Sequence, residues 1–336
     1  MSDLRIGVVG AGLMGADHII RIRDRVAGAA VAAVIDPDIP KAEAASAEAP
    51  GSTVFASLDA AVSAGAMDAV LIATPGKFHL DDLLAVVEAG LPTLCEKPLT
   101  PDPESALKVV DAEVAGGRRL IQVGFMRRFD AQYMELRDII RDQPYGDLLA
   151  LRCVHRNPDV PESYTTDMLI NDSVVHEIDV VRFLTDSPIV AVDVKHLKRS
   201  TNDHKDLDEP ILAFLETENG VIADVEMNVA VKFGYQVKTE AVFENGIAEI
   251  GRTSGTTIWH EGRYSGAEHT SFKTRFAAAF ETELQRWVNA ARNGGIDGPS
   301  AWDGYLVAAA CAAGTEALLS GRRVEVAYAP KPDFYA

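Results

Sequence analysis

The first 124 residues alternate short apolar runs with stretches in which apolar side chains recur every three or four positions. The runs are 4–9, 31–35, 69–73 and 92–95. Each is nearly continuous in apolar residues, as strands buried on both faces of a parallel sheet are. After the first run, Ile19, Ile20 and Ile22 stand among Asp17, Arg21, Arg23 and Asp24, which predicts an amphipathic helix. An Ala/Glu-rich patch over 41–49 fits a second helix. Leu83, Leu84, Val86 and Val87 predict a third, from near His79 to a stop at Gly90. A helix over 103–115 and a strand over 120–124 complete the series. Alternating strand and helix predict an α/β domain built on a doubly wound parallel sheet.

Beyond Gly124 the rhythm changes. Strands are predicted over 148–154, 189–196, 210–216, 220–227, 235–243 and 247–250. Glu218-Asn219-Gly220 and Glu244-Asn245-Gly246 are hairpin signals between them. A run of strands predicts a second α/β domain with an open, mostly antiparallel sheet. Long helices are expected over 274–291 and 302–319. The expected division is therefore 1–124 and 125–336.

Composition removes several function classes. The chain of 336 residues is 47% apolar and carries a formal charge of -18. That charge repels phosphate backbones and anionic lipid, so neither nucleic acid nor membrane is an expected partner. Cys95, Cys153 and Cys311 are odd in number and match no metal spacing, which suits a reduced, cytoplasmic compartment. Residues 4–9 are too short for a signal segment, and no stretch approaches the length of a membrane span.

Candidate chemistry begins at Gly10-Ala11-Gly12-Leu13-Met14-Gly15, between the first strand and its helix. Glycines there permit a tight turn and a close backbone approach to a pyrophosphate, and the helix start offers free N–H groups. This marks the first domain as a Rossmann fold. Asp36 ends the second strand at about the 20-residue offset of a ribose-binding carboxylate. It would accept from ribose hydroxyls and repel a 2′-phosphate, and no basic residue follows until Lys41, so NAD is expected over NADP. Thr74-Pro75 and Glu96-Lys97-Pro98 end later strands, where ligands of open α/β sheets bind. His79 stands at the same rim, open to cofactor contact, capping or the core.

Asn171-Asp172-Ser173-Val174-Val175-His176 resembles a helix start, with Asn171 or Asp172 as cap. Asp172 and His176, four apart, would share a helical face, where a carboxylate can orient an imidazole as general base. A capping aspartate and a core histidine is the plainer alternative. Zinc is disfavoured, because no second histidine lies four residues away and the cysteines do not pair.

The chain resembles the glucose–fructose oxidoreductase/inositol dehydrogenase superfamily, and within it the bacterial inositol dehydrogenases, over nearly its whole length. The likeness is carried by Glu96-Lys97-Pro98, Gln122-Val123-Gly124-Phe125-Met126-Arg127-Arg128-Phe129-Asp130, His155-Arg156-Asn157-Pro158, Tyr164-Thr165-Thr166-Asp167-Met168, Val175-His176-Glu177-Ile178-Asp179 and Gly298-Pro299-Ser300-Ala301-Trp302-Asp303-Gly304-Tyr305. It implies NAD-dependent oxidation of myo-inositol at the 2-hydroxyl, with Lys97, Asp172 and His176 as the catalytic set. It implies Met126, Arg127, His155, Asn157, Ser173 and Tyr235 around a polyol ring, and a homotetramer built through the open sheet. From the residues alone, Tyr235 equally fills a sheet face and Arg127-Arg128 equally forms a solvated pair. Another inositol isomer, a pyranose sugar, an NADP dismutase and a non-catalytic NAD-sensing regulator stay open as alternatives.

Overall fold

A computed structural model describes residues 2–202, 207–252 and 254–336. The chain divides into two compact units. The first takes in the chain up to Phe125, then 280–308 and 329–336; the second takes in Met126–Ala279 and 309–328. The C-terminal segments 280–308 and 329–336 thus return to the first unit.

The first unit contains β1 (Leu4–Val9), α1 (Leu13–Arg25), β2 (Ala29–Ile35), α2 (Ile39–Ser46), β3 (Thr53–Phe55), α3 (Leu58–Ser63), β4 (Ala69–Ile72), α4 (His79–Ala89), β5 (Thr93–Glu96), α5 (Pro103–Gly116) and β6 (Ile121–Gly124). Its six strands are parallel in the order β3-β2-β1-β4-β5-β6. The strand order reverses at β1 and β4, the place where such sheets bind ligands. The apolar runs seen in the sequence are strands of this sheet: β4, β5 and β6 are buried throughout. Gly90 ends α4 in the left-handed conformation, at φ 69°. The C-terminal return has a packing reason. Leu284, Trp287, Val288 and Ala291 join Ile19, Ile22, Val34 and Leu71 in one core cluster. Burying each large side chain contributes about 1.5–3 kcal/mol.

The second unit begins with α6 (Ala131–Asp142), β7 (Leu148–Arg156) and α7 (Val175–Thr185). Strands β8 (Ile189–His196), β9 (Ile211–Thr217), β10 (Ile222–Asn228), β11 (Gln236–Phe243) and β12 (Gly246–Ile250) follow. A separate hairpin pairs β13 (Ser254–His260) with β14 (Arg263–Ala267). Helices α8 (Phe272–Arg275), α9 (Ala277–Ala291) and α10 (Ala301–Ser320), then β15 (Val324–Glu325), complete the chain. The sheet runs β12-β11-β7-β10-β9-β8-β15. Its β7–β10 pair is parallel and the others are antiparallel. Alternation in β9, where Ile211, Ala213, Leu215 and Thr217 are buried, turns one face to the core. The two Glu-Asn-Gly segments join β9 to β10 and β11 to β12. Among the described residues, no helix is long and apolar enough to cross a membrane.

Candidate active site

The glycine turn is shaped by close backbone approach. Gly10 has φ +92°, and a Cβ there would sit 2.8 Å from the Ala73 carbonyl carbon. A Cβ on Gly15 would sit 1.8 Å from the Gly10 carbonyl oxygen. Only glycine lets α1 start this close to β1. Helices α2, α3, α5 and α6 are capped by Asp38, Ser57, Asp102 and Asp130, whereas α1 starts at Gly12 with no side-chain cap. The start of α1 carries the positive end of the helix dipole, which suits a pyrophosphate.

Asp36 follows β2 and turns back to this loop. Its carboxylate accepts from the Ala11 amide at 2.9 Å and the Asp38 amide at 3.0 Å. Burial alone would raise its pKa, but the two amides and Lys41 outweigh burial and hold it below the usual carboxylate range. Lys41, five residues on, is brought by the first turn of α2 to 3.4 Å from Asp36. These groups fit the diphosphate and ribose of a dinucleotide.

The Glu96-Lys97-Pro98 strap ends β5, and its Lys97–Pro98 peptide is cis. Glu96 is buried and Lys97 half-buried. The Glu96 carboxylate accepts from His18 Nε2–H at 2.7 Å and from the Lys97 amide at 3.2 Å. His79 takes a core position. The ring is fully buried. Nε2 lies 2.7 Å from the Thr74 carbonyl oxygen, and Nδ1 lies 2.8 Å from that of Pro98. Thr74 and Pro75 thus form part of a loop tied to the strap through His79. Thr74 Oγ1 also lies 3.5 Å from Asp82, whose carboxyl burial pushes up to about 6.

In the second unit His155, His176 and Tyr235 lie around or next to a buried ion pair. Arg127 is 1% exposed, beside buried Met126. Its Nη1 donates to Glu177, and its Nη2 lies 3.2 Å from His155 Nδ1. His155 Nδ1 is also 3.1 Å from the other Glu177 oxygen. Burial alone would raise the Glu177 pKa, but Arg127 and His155 hold it well below the usual range. The His155 ring lies 5.9 Å from Tyr235 and 6.3 Å from His176. Burial pushes the Tyr235 hydroxyl up to about 12. Arg128 reaches Asp179 through Nη2 at 2.6 Å. Neither arginine is a solvated charge.

Asp172 and His176 are both half-buried, and their local structure differs from a capped helix start. A π turn, Leu169–Val174, runs directly into α7 with no side-chain cap at Met168. A continuous helix leaves no end for Asn171 or Asp172 to cap. Asn171 Oδ1 instead accepts from Thr315 Oγ1 at 3.2 Å. The π turn bonds i to i+5, so the four-residue spacing from Asp172 to His176 is not that of a regular α-helical face. Ser173 Oγ meets the Tyr164 hydroxyl at 2.7 Å, and Tyr164 donates to the Met168 carbonyl at 2.6 Å. Asn157 is half-buried at the end of β7, and its amide donates to the Asn228 carbonyl.

Two residues receive no role from the sequence. His18 lies on the buried face of α1 with Gly15, Ile19 and Ile22. Glu177 lies among the apolar residues of α7. The available signal is the same for both: a titratable side chain on an apolar helical face needs a partner.

The Oxidoreductase family model with the NAD-binding Rossmann fold matches residues 4–125. The GFO/IDH/MocA C-terminal domain model matches 133–249. The chain is 55% identical to an inositol 2-dehydrogenase of Corynebacterium glutamicum over 335 residues, covering 99% of each chain. It is 55% identical to one of Leifsonia xyli, covering 99% of this chain and 98% of that one. The structure also matches a myo-inositol dehydrogenase of Lactobacillus casei solved in complex with NAD(H) and myo-inositol. There the TM-score is 0.96 and the identity 31%, over 99% of this chain and 100% of that one. A scyllo-inositol dehydrogenase of the same organism, with NAD(H) and scyllo-inositol, matches at a TM-score of 0.88 and 27% identity, over 96% and 99%.

Proposed function

Since the chain belongs to the oxidoreductase family with the NAD-binding Rossmann fold and the GFO/IDH/MocA C-terminal domain, we propose that it is an NAD-dependent inositol dehydrogenase that oxidises myo-inositol at the 2-hydroxyl to the 2-keto product. The full-length likeness to inositol 2-dehydrogenases carries this reading. The glycine turn from Gly10 to Gly15, Asp36, Thr74, Pro75 and the Glu96-Lys97 strap would hold NAD, with His79 supporting the loops from behind. Bound NAD supplies the hydride acceptor at nicotinamide C4. His176 takes the proton of the substrate hydroxyl as general base. Lys97 donates a hydrogen bond to the same oxygen and stabilises the charge that develops there. Asp172 orients the imidazole or the substrate. Met126, His155, Asn157, Ser173 and Tyr235 shape the polyol pocket, and Arg127 holds His155 through Glu177.

The same reading includes a cytoplasmic homotetramer that pairs through the open sheet. Ile247, Val242, Ala150 and Ile222 are cross-strand neighbours, and Ile247 and Ile222 are exposed. Such an apolar row on an outer face favours association. The mass in solution by light scattering tests that part.

The test of the activity is NADH absorbance with myo-, scyllo- and chiro-inositol and glucose, each with NAD and NADP. Turnover of myo-inositol with NAD at the highest kcat/KM is expected. A preference for scyllo-inositol or glucose moves the substrate, and a preference for NADP overturns the role of Asp36. No turnover with any pair favours the NAD-sensing regulator.

A further inference from the structure

Lys97 is the third member of a chain of contacts that starts on α1. His18 is fully buried, on the face of the helix that follows the glycine turn. Its Nε2–H donates to one Glu96 oxygen at 2.7 Å. The other Glu96 oxygen accepts from the backbone amide of Lys97 at 3.2 Å. The carboxylate therefore bridges helix and strap, with one oxygen on each. Gly124, at the end of β6, makes room for it: a Cβ there would lie 3.2 Å from both the Glu96 Cα and its Oε2. The far side of the strap is tied as well, through the Pro98 carbonyl and His79. The imidazole of His18 packs edge-on against Phe280, with ring centroids 5.9 Å apart, which fixes its direction.

We infer that His18 is a positioning residue for Lys97, acting through the Glu96 carboxylate. The helix that presents its N-terminus at the glycine turn then also sets where the Lys97 backbone stands. The consequence is registration. The group that meets the substrate hydroxyl is fixed to the same helix that would carry the NAD diphosphate, so both reactants are referred to one rigid element. Near-attack geometry is sensitive to such placement, and a misplacement of about 1 Å costs on the order of 100-fold in rate. The inference rests on the assignment of Lys97 to the substrate hydroxyl.

A double-mutant cycle on the full-length protein tests it, read as kcat for myo-inositol oxidation with NAD. His18→Leu is expected to lower kcat about 10- to 100-fold, with NAD affinity within about threefold of the parent. His18→Gln, which keeps a donor, is expected to recover most of that loss. In a Lys97→Ala background, His18→Leu is expected to change kcat less than about twofold. A merely structural histidine would lower Tm and leave kcat below the transition unchanged, or lower kcat equally in both backgrounds; either result overturns the link. If His18→Leu does not fold, Glu96→Gln takes its place in the cycle. A loss in kcat that vanishes beside Lys97→Ala supports the link, and no loss or full additivity overturns it. If Lys97→Ala alone leaves kcat unchanged, the role of Lys97 itself falls, and the inference with it. A Lys97→Ala loss without coupling to His18 removes only the inference.

Discussion

The two units hold their site groups by different physics. In the first, the glycine turn and the Thr74 loop are set by the backbone: Gly10 and Gly15 bring turn and helix together, and carbonyl oxygens of Thr74 and Pro98 grip one imidazole. In the second, position is set by buried charge: Glu177 bonds both Arg127 and His155, and the His155 ring lies 6.3 Å from that of His176. A site for a constant ligand such as a dinucleotide can be written into chain geometry. The polyol site proposed for the second unit needs side chains held at fixed directions, and paired charges supply that. The difference teaches where each unit is fragile. The first fails when a Cβ is added, the second when a charge loses its partner.

The largest effect expected is in the second unit. Glu177→Leu leaves the Arg127 guanidinium buried without its carboxylate, which costs about 3–5 kcal/mol. Urea unfolding measures it, and a loss below about 1 kcal/mol would refute the charge-held account. The pH dependence has a defined sign. The folded pKa of Glu177 is depressed, so its stabilisation is present above the unfolded value of about 4.3 and fades as pH falls below it. The parent should therefore lose stability on that acid limb more steeply than the Leu variant.

A smaller effect is expected from Gly15→Ala in the first unit. The added methyl meets the Gly10 carbonyl, and overpacking of this kind costs about 1–3 kcal/mol. The sharper readout is NAD binding by fluorescence titration, which should weaken together with stability. Unaltered NAD affinity would show that the turn does not depend on close approach, and the contrast between the units would lose one side.

Legibility in the sequence follows the same division. The parallel sheet could be read because its strands are continuous apolar runs, and the glycine turn because steric demands leave a glycine spacing. Asp36 could be read from its place after a strand. The contacts of His18 with Glu96 and of Arg127 with Glu177 could not, because their partners lie 78 and 50 residues apart and no local period records them. The π turn at Leu169–Val174 was hidden because its residues also suit a helix start. The return of 280–308 to the first unit was hidden because an amphipathic helix shows its apolar face but not which sheet receives it.

The central claim is that this chain oxidises myo-inositol with NAD and that Lys97 stabilises the reacting oxygen. The most direct test compares the parent with Lys97→Ala by NADH absorbance, with NAD binding measured in parallel. The account predicts myo-inositol turnover in the parent, a loss of about 100- to 1,000-fold in kcat in the variant, the magnitude for one oxyanion donor, and retained NAD binding. Equal turnover in the two proteins would contradict it.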